Sequence, residues 1–342
     1  MSQRRSPYLV GPLYDWAFFL LPPLASLLIG ILISGTAFTD DQILIAGQDA
    51  TWAGLVIGTI IHAHLVAVFF RSHGNRDIFK LYRFRFVWVP ILLWIVIVAS
   101  SWAAILAAIA ATFWDVWHSG AQTFGFGRIY DRNAGRSSDA GRRLDFWLNQ
   151  LMYAGPIIGG ATLLDHLDQF EDFDSLGAVF FTEIPARAES AQRYFTWAVL
   201  VIGSLFLLYY LVFALMMARR GQGPSRLKVF LYVTTGACSI YTWGFNSWGE
   251  AFFIMNLFHA VQYLALVWAM EHKRWVAWLG KDGRPAGKRM TAALYLGAVL
   301  AYGWGVQLVD PELITLWAVT IVVSLMHFWY DGFIWSVRKN QV

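Results

Sequence analysis

The sequence predicts an all-α fold, a polytopic membrane bundle of about ten transmembrane helices with both termini cytoplasmic. Three observations predict it. Hydrophobic residues make up 58% of the 342 positions and charged residues only 14%, where a soluble domain carries about 25% charged. Mean hydropathy is correspondingly high, at +0.50. Apolar runs of the roughly 20 residues a bilayer requires recur along the chain, and the loops between them alternate in charge.

Taken in order, the runs are about 12–35, 51–70, 86–100, 102–127, 146–164, 194–218, 229–246, 250–270, 290–308 and 313–337. The first follows Arg4 and Arg5 and lacks a small-residue cleavage pattern, so it reads as a span and not as a removed signal. The stretch 86–127 has no charge before Asp115 and is too long for one helix. Division at Ser100-Ser101 makes it a tight hairpin. Together the spans read as a single transmembrane domain over 1–342.

The loops test this reading. "TAFTDDQILIAGQDA" has three acids and no Lys or Arg, whereas "RSHGNRDIFKLYRFR" and "RIYDRNAGRSSDAGRRLD" carry five basic residues each. The loop 165–193 is acidic and extracytoplasmic, with an amphipathic piece expected near "LGAVFFTEI". "RRGQGPSRLK" and "EHKRWVAWLGKDGRPAGKR" are basic, and "NSWGE" and "DPE" are not. Of 26 Lys and Arg, 24 fall on one side, and only Arg187 and Arg193 on the other. The positive-inside rule makes the basic side cytoplasmic, as in a bacterial cytoplasmic (inner) membrane. The net charge of +4 and pI near 9.1 therefore mark orientation and imply no nucleic-acid partner. The single cysteine, Cys238, excludes a disulfide framework and a cysteine metal site. Many of the 18 Trp suit interfacial belts.

Histidines within the spans carry the functional signal, because ionisable residues there are costly. His62 and His64 lie on the second span, His118 on the fourth, His259 on the eighth and His327 on the tenth. All four spans run in the same direction. The next charge toward the cytoplasm lies nine residues after His62 (Arg71), ten after His118 (Arg128), twelve after His259 (Glu271) and eleven after His327 (Arg338). At about 1.5 Å per residue the four share a depth of roughly 13–18 Å. Gly54, Gly58 and His62 form a small-residue stripe suited to close packing, so His62 is expected to face the bundle and His64 is the weaker candidate. Each histidine has polar companions about one turn away: Asp115 and Gln122 for His118, Asn256 and Gln262 or Tyr263 for His259, Ser324 and Asp331 for His327. Metal-bound imidazoles use such groups as outer partners. The bland alternative is a set of core histidines, each bonded to its own helix. Asp115 and Asp331 are the candidate catalytic carboxylates, with simple pairing to the neighbouring His as the alternative. His73 reads as solvated, and His166 and His272 as interfacial.

An imidazole-rich site suits iron, zinc, copper or nickel, and a structural zinc would normally include cysteine. Iron beside an apolar substrate reached from the lipid fits best. Haem held by two histidine pairs is an alternative, which would make the chain an electron-transfer protein, and a metal-free transporter or acyltransferase is a third class. One histidine on each of several spans, as at His62, His118, His259 and His327, resembles the Brp/Blh membrane carotenoid dioxygenases, which hold one iron by four histidines. The likeness lies in arrangement and not in motif. It implies an oxygenase or related oxidoreductase acting on a membrane lipid or isoprenoid. The HxxxH and HxxHH boxes of membrane desaturases are absent. "FWDVWHSGAQ" is similar to the histidine segment of membrane-bound O-acyltransferases, which use a single His. The basic loops set topology and offer docking for an electron-donor protein or an anionic headgroup.

Overall fold

The computed structural model describes residues 6–137, 139–280, 284–310 and 312–335. The fold is helical, apart from one hairpin. Ten helices of twelve residues or more lie among the described residues. They are α1 (Pro22–Ile33), α2 (Trp52–Ser72), α3 (Arg76–Ala99), α4 (Ser101–Asn133), α5 (Arg142–Gly159), α6 (Ile184–Arg219), α7 (Arg226–Phe245), α8 (Trp248–Trp278), α9 (Pro285–Gln307) and α10 (Ile314–Ile334). Each overlaps one of the expected runs. Five helical stretches are long and apolar enough to cross a membrane: Trp52–Ser72, Arg76–Ala99, Val179–Arg219, Gly249–Trp278 and Ile314–Ile334. A sixth arises if Pro12–Leu20 and Pro22–Ile33, bent by 47°, count as one span.

The expected break between α3 and α4 is where the sequence puts it. Ser100 is extended, at φ −146° and ψ 117°, and its hydroxyl accepts from the Ala103 N–H at 3.3 Å. The loop before α2 holds structure the sequence did not suggest, an antiparallel hairpin of β1 (Gln42–Ile45) and β2 (Gln48–Thr51). Ala46 and Gly47 turn it with φ of 51° and 82°. Two positive φ values are what a tight hairpin turn demands, and an alanine at the first of them hides the signal. The acidic loop forms 3-10 turns at Leu164–His166 and Asp168–Leu176. A short helix follows at Val179–Thr182, where the amphipathic piece was expected; Phe180 is exposed and Phe181 packs on Phe173.

The chain divides into two compact units, where the sequence reads as one domain. One comprises Met1–Leu32 and Thr112–Met255, the other Ile33–Ala111 and Asn256–Val342. Within the first, α5 packs on α6 and α7. Gly159 lies against Val199 and Thr196, whose hydroxyl donates to the Gly159 carbonyl at 2.9 Å. A buried charge cluster joins four helices of this unit. Lys228 on α7 reaches Asp145 on α5 at 2.7 Å and Asp131 on α4 at 2.8 Å. Arg128 on α4 contacts the same two carboxylates. Tyr210 on α6 donates to Asp145 Oδ1 at 2.7 Å, and the Ser225 N–H to Asp131 Oδ1 at 2.8 Å.

Within the second unit α2 packs along α9. Gly303 abuts the Thr59 carbonyl so closely that a methyl group there would run into it, and Gly58 lies under the Gln307 amide. A second buried cluster joins α2, α8 and α10. The Arg71 Nη1 donates to Glu271 Oε1 at 2.6 Å, and Nη2 to the Ile334 carbonyl at 3.2 Å. Asn75 adds its amide to Glu271 at 3.3 Å.

These clusters change the meaning of three charges. Arg71, Arg128 and Glu271 served as markers of the water boundary for the depth of His62, His118 and His259. All three are buried, at 3%, 7% and 2% exposure, and their helices continue beyond them. They end inside protein and mark no boundary. The fourth marker, Arg338, lies outside the described residues.

Removing one member of a buried ion cluster strands the others. Asp145→Ala is expected to destabilise the protein by about 3–5 kcal/mol. Arg187→Ala, which breaks the exposed Arg187–Glu183 pair, is expected to cost below about 1 kcal/mol. Thermal unfolding in detergent measures both.

Candidate metal centre

Helix α2 buries the face that carries Ile61, His64, Leu65, Val68, Arg71 and Ser72, spaced at one and two turns. This face places His64 inside the second unit, at 1% exposure. There it meets His259 of α8, also at 1%, and His327 of α10, at 0%. The ring centroids of His64 and His259 are 5.1 Å apart, and those of His64 and His327 5.0 Å, both edge to face at 86°. One nitrogen from each of the three lies within 4.8 Å of the others. Tetrahedral nitrogens bound to an ion at about 2.1 Å stand about 3.4 Å apart. An ion shared by the three would need their nitrogens at about that spacing.

The structure separates the two α2 histidines, burying His64 more deeply than His62. His62 is half-buried, with Nδ1 2.8 Å from the Gly58 carbonyl and 3.2 Å from Gln307 Nε2. The small-residue stripe does mark close packing, as expected, but its partner is α9. His62 follows the stripe to that contact, and His64, about 200° round the helix, faces α8 and α10. The signal for His64 was Arg71, seven residues on and buried on the same face.

The surroundings of His327 come from three helices. Its Nδ1 lies 3.2 Å from the Leu65 carbonyl of α2. With the proton on Nδ1 and donated there, Nε2 carries the lone pair a metal needs. Asp331 Oδ2 stands 3.9 Å from Nε2, too far for a hydrogen bond. A backbone carbonyl thus holds Nδ1 of this imidazole, while Asp331, expected to orient it, stands beyond hydrogen-bond reach of Nε2. Asp331 is itself firmly held. Its Oδ1 accepts from the Tyr263 hydroxyl at 2.8 Å and from the Trp335 indole N–H at 2.7 Å. Tyr263, one turn beyond His259, also walls the cluster, its ring 4.4 Å from that of His327 and 6.1 Å from that of His64. Arg71 lies 4.0 Å over the Trp335 ring.

Ser324 gives its hydroxyl to the Thr320 carbonyl of its own helix at 3.0 Å, so it does not serve His327. Asn256 and Gln262 are buried in the second unit, at 5% and 0% exposure. Asp115, His118 and Gln122 belong to the first unit. His118 is buried there at 6%, while Asp115 and Gln122 are half-buried. Gln150 donates to the Trp117 carbonyl at 3.0 Å and covers Gly120. His73 has an exposed edge but rests on Phe69, with Nε2 3.3 Å from the Phe86 carbonyl. His166, read as interfacial, is buried; Nδ1 is 2.7 Å from the Thr162 carbonyl. Burial lowers its pKa, which that carbonyl partly offsets.

No protein-family model, curated protein or solved structure matches this chain.

Asp331→Ala leaves the buried Tyr263 hydroxyl and Trp335 N–H without their acceptor. The expected cost is about 1–3 kcal/mol for each stranded group. Asp331→Asn keeps an acceptor oxygen and recovers most of the loss. Thermal unfolding of the two variants beside the wild type checks the order.

Proposed function

We propose that the chain is an integral membrane protein, with its basic loops and both termini cytoplasmic, that binds a transition metal at His64, His259 and His327. In this reading it is an oxygenase or related oxidoreductase acting on a lipid or isoprenoid. One observation carries the proposal: three imidazoles from three helices, each at or below 1% exposure, bring one nitrogen apiece within 4.8 Å of the others. Burying one imidazole needs only a hydrogen-bond partner. Burying three against one another suits a shared cation, which uses lone pairs that a stability-driven core would leave out.

The donor set favours iron. Thiolates, which select structural zinc, are absent from it. Three neutral imidazoles, with the Asp331 carboxylate 3.9 Å from one of them, leave open positions on a six-coordinate ion. Bound there, iron would supply the redox chemistry that activates oxygen. The chain's own residues hold and orient it: Leu65 fixes the His327 tautomer, and Tyr263 with Trp335 fixes Asp331. The spacing favours a bare ion over haem. Two axial imidazoles flanking a porphyrin keep their centroids about 6 Å apart, and these stand 5.0–5.1 Å apart with a third ring alongside. An apolar neighbour, Phe328, with its ring 5.6 Å from that of His327 and only 5% exposed, suits a hydrocarbon substrate. An electron-donor protein would dock at the basic end.

Elemental analysis of the purified protein tests the site. The wild type is expected to carry iron. His64→Ala, His259→Ala and His327→Ala should each lose it, with His62→Ala and His73→Ala retaining it. A metal-free wild type, or full stoichiometry in any two of the three triad variants, defeats the proposal.

A further inference from the structure

The segment between α2 and the apolar part of α3 has a composition and geometry that neither the fold nor the metal centre uses. Asn75 caps α3, accepting from the N–H groups of Asp77 and Ile78 at 3.1 and 3.3 Å. It is itself tied to Glu271 and Arg274. Seven residues after this cap the helix is interrupted at Tyr82, with φ −130° and ψ 20°. Residues 76–81 therefore form a separate short turn before the long apolar run. Ile78 and Phe86 anchor the segment, at 6% and 1% exposure. Phe79 and Tyr82 pack on Phe86 beside these anchors, and the remaining side chains of the segment are exposed and alternate in character. Arg76, Lys80, Arg83 and Arg85 are exposed, and so are Leu81 at 67% and Phe84 at 66%. Trp88 follows at 53%.

The charge is one-sided. The only acid of the segment, Asp77, faces Arg274 at 3.5 Å. Among the described residues Arg76, Lys80 and Arg83 have no acidic partner. Arg85 lies over the rings of Phe333, Tyr82 and Trp329 at 5.2, 5.7 and 5.9 Å, which holds its stem against the protein. Two large apolar side chains displayed among cations are costly in water and costly in hydrocarbon. At the boundary between headgroups and acyl chains both kinds are satisfied, the apolar groups below and the cations level with phosphate. Trp88, one turn deeper, is the residue type that anchors at this level.

We infer that residues 76–85 form a binding surface for anionic phospholipid headgroups, with Arg76, Lys80 and Arg83 pairing with the phosphates and Leu81 and Phe84 inserted between acyl chains. This rests on the membrane reading above but not on the metal. An acidic soluble donor protein would use the cations and gain nothing from Leu81 and Phe84 lying level with an apolar helix, so lipid is the better fit. Each cation near an anionic surface is worth about a fivefold gain in binding. The clasp of Asn75 and Arg274 links this surface to Glu271 and Arg71 at the base of the helices that carry the histidines.

The test uses full-length protein, delipidated in neutral detergent and titrated with phosphatidylglycerol or phosphatidylcholine, with retained lipid counted by native mass spectrometry. Wild type should prefer phosphatidylglycerol and lose the preference as salt rises. Arg76→Gln/Lys80→Gln/Arg83→Gln should weaken phosphatidylglycerol binding on the order of a hundredfold and leave phosphatidylcholine unchanged. Lys80→Gln/Arg83→Gln, both fully surface positions, gives a smaller loss and covers any folding defect of the triple variant. Leu81→Ser/Phe84→Ser should weaken both lipids. Equal retention of the two lipids by wild type, or an unchanged preference in the folded double variant, overturns the inference. Extraction of membranes with alkaline carbonate separates the two levels: release of the chain overturns the membrane reading itself, whereas retention with no lipid preference overturns only this surface.

Discussion

Arg71 is the residue on which the second unit depends. A guanidinium buried to 3% exposure is untenable alone, because its desolvation cost exceeds any single weak contact. It is held by a carboxylate on α8, Glu271, and by a backbone carbonyl at the end of α10, Ile334. The three helices so joined are the three that carry His64, His259 and His327. The offsets from histidine to clamp are seven residues on α2, twelve on α8 and seven on α10. Apolar helix faces can slide by a turn at modest cost. A buried ion pair with bonds on two sides cannot, so this clamp fixes the relative heights of the imidazoles. The Tyr263–Asp331–Trp335 bonds repeat the constraint between α8 and α10, closer to the rings.

The first unit follows the same logic with different residues. Two cations, Arg128 and Lys228, meet two anions, Asp131 and Asp145, and the cluster is electrically balanced. Tyr210 and the Ser225 N–H saturate the remaining carboxylate oxygens. Four helices meet here: α4 contributes Arg128 and Asp131, and α5, α6 and α7 contribute Asp145, Tyr210 and Lys228. A chain with only 14% charged residues has placed a good share of them where they specify geometry. Glycine does the complementary work in the second unit, where Gly58 and Gly303 let α2 and α9 approach until side chain and backbone touch.

Much of the fold was legible because apolar length and loop charge are one-dimensional signals. Composition and run length locate all ten long helices, and Ser100-Ser101 gives the break. The helix ends were less legible. α3 begins ten residues earlier than its apolar run because Asn75 caps a basic segment that hydropathy reads as loop. The hairpin at 42–51 was missed because Ala46 occupies a left-handed position usually signalled by Asn or Gly. In the candidate site, the burial of His259 and His327 was legible, since a polar companion one turn away marks an interior face. His64 was not. Distinguishing it from His62 required knowing which neighbour each face of α2 meets, and a stripe of small residues names a close contact without naming the helix that makes it.

The direction of the bonds around His327 bears on the choice between a metal site and a polar core. A core histidine uses both its nitrogens on neighbouring carbonyls and hydroxyls. At His327 the contact with the Leu65 carbonyl engages Nδ1, the nitrogen remote from Asp331, while Nε2 faces Oδ2 at 3.9 Å. That gap is too long for a hydrogen bond between them and too short to ignore electrostatically. Two donors, the Tyr263 hydroxyl and the Trp335 N–H, hold Oδ1 of the carboxylate. These two donors repay part of the carboxylate's burial, so it need not close the gap to the imidazole. A pair arranged to share a third charge would keep it open, with the imidazole tautomer set from behind and the carboxylate set from the side. The proposed metal accounts for the open gap, with Leu65 behind the imidazole and Tyr263 and Trp335 beside the carboxylate.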